Sequence, residues 1–273
     1  MIPAGGSPSP RVLHMMREKD MENGLKGKRV LAIGDSLTSD GRWQREFERV
    51  TGATVVTHAR GGVGIIDMVF GLGAAESESM KYDPYTGANR ELPPLAAEDL
   101  RGVDLVIFYG GYNERHMEYG CEDDVYPECD TLYGKFNAVM TRIVRLIGEA
   151  GNAGCRLMTV SPHCVGKYDW VDADGTEEFP AGSGRTLATM SEVVKRVSEK
   201  YGAAFFDAYR LSGIGPENWC RYANSPTVLR SDYDPHKRYE APYPMYADQA
   251  HLNGDGYAKL GGKIARFALS LFD

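Results

Sequence analysis

The chain has 273 residues, of which 42% are hydrophobic and 25% are charged, as in an ordinary globular protein. No stretch approaches the ~18 consecutive apolar residues of a membrane-spanning helix, so we expect no membrane span. The formal net charge is -7, whereas nucleic-acid-binding domains are basic and cluster Lys and Arg. The composition therefore argues against a nucleic-acid partner and favours a small or neutral substrate.

The amino-terminal segment differs in composition from the rest of the chain. Residues 1–24 are rich in Gly, Ser and Pro near their start and contain no apolar core of a secretory signal. We expect a partly mobile extension over 1–24, followed by a single domain over 25–273.

The cysteines bear on the compartment. The five residues Cys121, Cys129, Cys155, Cys164 and Cys220 are odd in number and include no CxxC pair. This pattern favours reduced thiols in a cytoplasmic protein. A Cys121–Cys129 disulfide in an oxidising compartment is the alternative.

Five strand-like apolar runs recur along the chain, and helix-like patterns lie between them and after the last. This alternation is typical of βα units that build a parallel sheet. The predicted strands are 29–33, 54–57, 105–109, 156–160 and 204–206. Right-handed crossovers then predict an α/β fold, a flavodoxin-like three-layer α/β/α sandwich with strand order 2-1-3-4-5.

The predicted helices are 43–50, a short one after Gly64, 132–149, 187–201 and 255–272. In the last of these, apolar residues recur at three- and four-residue steps and form a stripe that can lie on the sheet. The remaining segments 71–104, 115–131, 165–185 and 211–248 are predicted loops. Loops of this length are uncommon unless they are functional, so we interpret them as walls and lids of a pocket.

The first candidate catalytic residue follows the first strand. Ser36 lies in the string Gly34-Asp35-Ser36-Leu37-Thr38, on a turn that leads from a strand towards a helix. Such a turn exposes a serine hydroxyl beside free backbone amides, where a neighbouring base can activate it. A serine that only caps the next helix is the alternative.

A second candidate pair precedes the last helix. His251 follows Asp248 by three residues. In a turn, this spacing lets the carboxylate fix the imidazole tautomer and leaves the other ring nitrogen to accept a hydroxyl proton. The alternative is a surface pair near a helix start.

Two further segments contain donors suited to an oxyanion. Glycines at positions 61, 62 and 64 follow the second strand, where the lack of a Cβ lets a backbone amide approach a substrate oxygen. Asn113 follows the third strand and carries a side-chain amide. A tight loop and a turn residue are the respective alternatives.

The positions of these residues on the predicted sheet favour the catalytic interpretation over the structural alternatives. Ser36, Gly62 and Asn113 each follow a different strand, and Asp248 and His251 lie between the fifth strand and the last helix. All five therefore fall at the carboxyl edge of the predicted sheet, where open α/β sheets bind ligands.

Four motifs in this order resemble those of the SGNH hydrolases, also called the GDSL esterase family. They are GDSLT, a glycine after strand two, GxN after strand three and DxxHLNxxGY before the last helix. The resemblance covers the chain from about Lys28 to its end. It implies a catalytic triad of Ser36, Asp248 and His251, and an oxyanion hole formed by Ser36, Gly62 and Asn113.

Two departures from the family pattern are present. The usual GxND becomes Gly111-Tyr112-Asn113-Glu114, and His58-Ala59-Arg60 precedes the glycines where an Asn often stands. Gly61 is therefore an alternative to Gly62 as the oxyanion donor.

Cofactor and metal sites are not predicted. The other histidines form no HxH or HExxH spacing, and no GxGxxG follows a strand. We expect no cofactor and no metal ion.

The aromatic residues of one predicted loop bear on the identity of the substrate. The segment 211–248 is rich in aromatic residues: Trp219, Tyr222, Tyr233, Tyr239, Tyr243 and Tyr246. They could stack on a sugar or pack the loop onto the domain. We expect a serine esterase that acts on short-chain acyl esters such as O-acetylated carbohydrate. The alternatives are a thioesterase or lysophospholipase for longer chains, and a non-catalytic binding module, which the retained candidate residues disfavour.

Overall fold

A computed structural model describes residues 24–72, 91–164, 183–215, 217–224 and 250–272. The predicted amino-terminal extension lies outside the described residues, apart from Gly24. Within the described helices, none combines the length and the apolar character needed to cross a membrane.

The sheet has five parallel strands in the order β2-β1-β3-β4-β5, which confirms the predicted α/β fold and strand order. The strands are β1 (Arg29–Gly34), β2 (Thr54–Ala59), β3 (Leu105–Tyr109), β4 (Arg156–Val160) and β5 (Ala204–Phe206). The winding changes direction between β1 and β3, and a switch point of this kind opens a crevice at the carboxyl ends of the strands.

The first two strands are longer than the sequence predicts. β1 extends to Gly34, and β2 extends to Ala59, which pairs with Gly34. The edge strand β2 is half-buried or exposed along its length. Its end is set by backbone pairing with β1, because the polar residues Thr57 and His58 interrupt the apolar run before Ala59.

The main helices are α2 (Arg42–Thr51), α4 (Leu132–Glu149), α5 (Leu187–Lys200) and α8 (Gly254–Leu269). α2 packs against α8, and α4 packs against α5, which gives the outer layers of the sandwich. α8 ends three residues before the predicted 272. Its first turn is capped by Asn253, whose side-chain oxygen accepts the N–H of Gly256 at 2.9 Å.

Several short helices lie outside the predicted helices and strands. They are α1 (Ser36–Ser39), α6 (Ala208–Leu211), α7 (Trp219–Tyr222) and the 3-10 helices Ala97–Leu100 and Tyr112–Glu114. Another short helix, α3 (Asp67–Phe70), is the one predicted after Gly64. Segments of three or four residues span about one turn, which is too short for a helical repeat to be visible in the sequence.

Candidate active site

Ser36 is the first residue of α1, directly after β1. The cap of this helix is Asp35, whose Oδ1 accepts the N–H of Leu37 at 2.9 Å. Capping by Asp35 leaves the Ser36 hydroxyl available for another partner. The interpretation of Ser36 as a helix cap is therefore wrong.

The turn that carries Ser36 is packed tightly against the end of β3. Thr38 donates its hydroxyl to the carbonyl oxygen of Tyr109 at 2.8 Å, and both residues are buried. A Cβ at Gly34 would overlap that same carbonyl oxygen. Glycine at position 34 thus permits the close approach that holds the start of α1 beside β3.

The Oγ atom of Ser36 lies 2.7 Å from the Nε2 atom of His251. His251 precedes α8 and is partly buried. An unprotonated Nε2 at this distance can accept the hydroxyl proton. The structure therefore brings together the predicted nucleophile and the predicted base, while Asp248 lies outside the described residues.

The glycine loop after β2 passes beside the serine. A Cβ built at Gly61 would lie 3.8 Å from the Cβ of Ser36. Gly62 has a φ of 78°, a left-handed backbone conformation that favours glycine. Gly61 therefore lies beside Ser36, and Gly62 is its neighbour in the same loop.

Asn113 and Glu114 hold the continuation of this loop. The Asn113 side-chain amide donates to the carbonyl oxygen of Val63 at 2.8 Å. The Oε1 of Glu114 accepts the N–H of Ile65 at 2.6 Å. A Cβ at Gly64 would overlap this carboxyl oxygen. Asn113 has two amide hydrogens, so the contact with Val63 leaves one for a substrate oxygen.

Two buried carboxyl groups at this edge have raised pKa values. Burial raises the pKa of Asp35 to about 6, although hydrogen bonds from the N–H groups of Leu37 and Gly111 and the charge of His251 oppose the shift. Burial raises the pKa of Glu114 to about 8, against the opposing hydrogen bond from Ile65. Near pH 7, Asp35 is mostly ionised, and Glu114 is mostly a neutral acid.

Sequence reasoning did not assign roles to Asp35, Glu114 or His163. Asp35 adjoins the candidate nucleophile, and Glu114 was visible as a departure from GxND. The third, His163, belongs to the histidines without metal-ligand spacing, and it is fully buried just after β4. Its burial depends on β3 and on the segment before α8, which no local pattern reveals.

A family model described as the GDSL-like lipase/acylhydrolase family matches residues 32–259 of the chain. The chain belongs to this family. This confirms the resemblance drawn from the motifs, and it identifies the protein as an ester-hydrolysing enzyme. A search of curated proteins finds no match.

Solved structures share the family fold at low identity. A protein from Lactobacillus plantarum is 17% identical, with a TM-score of 0.53 over 90% of this chain and 96% of that chain. A protein described as a possible lipase from Chitinophaga pinensis DSM 2588 is 16% identical, with a TM-score of 0.54 over 89% of this chain and 98% of that chain. At these identities the likeness shows the fold alone.

Proposed function

We propose that the protein hydrolyses carboxylic esters through an acyl-enzyme formed on Ser36. The observation that carries the proposal is the 2.7 Å contact between Ser36 Oγ and His251 Nε2. A serine hydroxyl is a weak nucleophile until a base removes its proton, and His251 is in hydrogen-bonding reach to do so.

In the first half of the reaction, Ser36 Oγ attacks the ester carbonyl carbon as its proton passes to His251. The tetrahedral intermediate collapses, the alcohol leaves with that proton, and the acyl group stays on Ser36. In the second half, water attacks the acyl carbonyl, gives a proton to His251 and releases the acid. The proton then returns to Ser36.

The negative oxygen of each intermediate needs donors beside Ser36. We assign these to the Ser36 amide, the amide of Gly62 or Gly61, and the Asn113 side chain. The loop next to Ser36 and the second amide hydrogen of Asn113 support this assignment. Asp248 is assigned the role of orienting His251, on the strength of the DxxH spacing.

A fluorophosphonate probe tests the nucleophile. We expect labelling and p-nitrophenyl acetate hydrolysis in the wild type, and loss of both in Ser36→Ala. Ser39→Ala is the matched control, because Ser39 lies exposed at the end of the same short helix. A wild type that is neither labelled nor active would favour the binding-module alternative. Labelling retained in Ser36→Ala would overturn the assignment.

The role of Asp248 has its own test. Asp248→Asn should lower kcat by up to about 10⁴-fold, because the imidazole then loses the carboxylate that fixes its tautomer. Gln249→Ala is the neighbouring control. An unchanged kcat in Asp248→Asn would remove Asp248 from the triad.

We propose a short acyl group on a small or neutral alcohol such as a carbohydrate. The net charge of -7 and the aromatic residues of 211–248 support this choice. Of those aromatics, Trp219 is buried in the core and therefore packs the loop. Graded p-nitrophenyl esters and acetylated sugars test the proposal. Faster turnover of C8 or longer esters would instead favour a thioesterase or lysophospholipase.

We also propose that residues 25–273 form one domain in a cytoplasmic protein. One hydrophobic cluster that runs from Leu25 to Ala268 supports the single domain. The four cysteines with described side chains, Cys121, Cys129, Cys155 and Cys164, are not joined in disulfides, which fits a reducing compartment. Thiol alkylation in intact cells before lysis tests the compartment, and a Cys121–Cys129 disulfide there would contradict it.

A further inference from the structure

His163 is a buried histidine that the proposed reaction does not use. It follows β4, and its side chain is completely inaccessible to solvent. Its Nδ1 lies 2.5 Å from the hydroxyl oxygen of Tyr109, and its Nε2 lies 3.0 Å from the carbonyl oxygen of Ala250. Ala250 immediately precedes His251, so His163 contacts the backbone of the segment that carries the predicted base.

The two partners define the protonation of the ring. A carbonyl oxygen only accepts, so Nε2 of His163 carries a hydrogen and donates it to Ala250. In the neutral ring, Nδ1 is then an acceptor, and it receives the hydroxyl hydrogen of Tyr109. Burial raises the pKa of Tyr109, so this hydroxyl keeps its proton. A directed chain of hydrogen bonds thus runs from Tyr109 through His163 to Ala250.

This chain begins on a rigid part of the molecule. Tyr109 is the last residue of β3, the central strand of the sheet, and it is fully buried. Its own carbonyl oxygen accepts from Thr38 in the helix that starts with Ser36. The same residue therefore contacts the helix of the predicted nucleophile through its backbone and, through His163, the segment of the predicted base.

Neighbouring carbonyl groups of that segment are held by other elements. The N–H of Asn224 donates to the His251 carbonyl at 2.9 Å, and the Arg42 guanidinium donates to the Leu252 carbonyl at 3.0 Å. Three consecutive carbonyl groups are thus fixed by three separate parts of the chain. The contact from His163 is the buried one, on the amino-terminal side of His251.

We propose that His163 is a positioning residue that sets the distance between the His251 imidazole and the Ser36 hydroxyl by holding the Ala250 carbonyl. The proposal rests on the proposed function of Ser36 and His251. A displacement of about 1 Å at a reacting group can cost on the order of 100-fold in rate. His163 therefore acts on the chemical step, and it has no contact with substrate in this role.

The test replaces His163 by two residues of different hydrogen-bonding capacity. His163→Phe keeps an aromatic ring and removes both hydrogen bonds, whereas the amide of His163→Gln can still donate to Ala250. We expect kcat for p-nitrophenyl acetate and the rate of fluorophosphonate labelling to fall roughly 10- to 100-fold in His163→Phe. KM should change little, and His163→Gln should recover part of the loss.

The control is Ser198→Ala, which removes a buried hydrogen bond between Ser198 and Thr159 of 2.5 Å. It perturbs the contact of α5 with β4 and should leave kcat unchanged. If kcat in His163→Phe stays within about threefold of that in Ser198→Ala, the proposal is overturned. If His163→Phe does not fold, Tyr109→Phe replaces it: a several-fold fall in kcat supports the proposal, and an unchanged kcat overturns it.

The same measurements separate a failure of the proposed esterase function from a failure of the proposed role of His163. Were the wild type itself inactive and unlabelled, the assignment of Ser36 would be wrong. A labelled, active wild type with an equally active His163→Phe variant would leave Ser36 in place and remove His163 alone.

Discussion

The carboxylate of Asp35 accepts the backbone N–H of Gly111 at 2.9 Å. Its other oxygen caps the helix that starts with Ser36. One side chain thus joins the turn after β1 to the turn after β3, and it fixes Ser36 relative to the segment that carries Asn113.

Asp35→Asn should weaken this junction. An amide has one acceptor oxygen, so the N–H group of Leu37 or of Gly111 would face an NH2 group. We expect a fall in kcat of roughly tenfold or more, because the turn that carries Ser36 loses one of its anchors. The control Thr131→Ala removes the cap of α4, which accepts from Gly134 at 3.1 Å. Thr131→Ala should lower the free energy of unfolding by ~1 kcal/mol without changing kcat. Equal kcat values in Asp35→Asn and Thr131→Ala would contradict the prediction.

Asn113→Ala should lower kcat by roughly 100- to 1000-fold with little change in KM, because one donor to the transition-state oxygen is lost. Steady-state kinetics on p-nitrophenyl acetate measures this. Asn152→Ala is the control, since the Asn152 side-chain amide donates to the carbonyl groups of Leu100 and Val103, before β3. A similar fall in both variants would indicate a structural role for Asn113.

Gly64→Ala should destabilise the fold by about 1–3 kcal/mol, because the added methyl group overlaps the Glu114 carboxyl. The penalty should shrink in a Glu114→Ala background, giving a coupling energy above about 0.5 kcal/mol in a double-mutant cycle. Gly154→Ala is the control, since a Cβ there meets nothing within 4 Å. Additive effects at positions 64 and 114 would refute the steric explanation.

Glu114→Gln should change how stability depends on pH. The pKa of Glu114 is raised from 4.5 to about 8 in the folded state. Between these values the folded protein holds a proton that the unfolded chain releases, so rising pH favours unfolding, by up to ~1.4 kcal/mol per pH unit. Glutamine keeps the size of the group and cannot ionise.

Urea denaturation at pH 5, 6, 7 and 8 checks this sign. The stability of wild type relative to Glu114→Gln should decline steadily over the series, while Asp35 titrates in both proteins. Parallel pH profiles would show that Glu114 is ionised throughout. Activity at pH 7 should be nearly the same in the two proteins, because both carry an uncharged group that can accept the N–H of Ile65.

The order of the strands was predictable because apolar runs and handed crossovers are local or general properties of α/β chains. The end of β2 was less predictable, because this edge strand has half-exposed residues and its end is set by pairing with its neighbour. Helices of one turn, such as α1, were missed since they show no repeat.

By itself, the sequence determined the fold class, the family, and the residue types suited to nucleophile, base and oxyanion donor, because these depend on short motifs and their order. Only the tertiary structure brought Ser36 and His251, 215 positions apart, to 2.7 Å. It also decided the burial of Glu114 and the hydrogen bonds of His163. Burial and hydrogen-bond geometry arise from groups distant in the chain, and local sequence does not specify which groups those are.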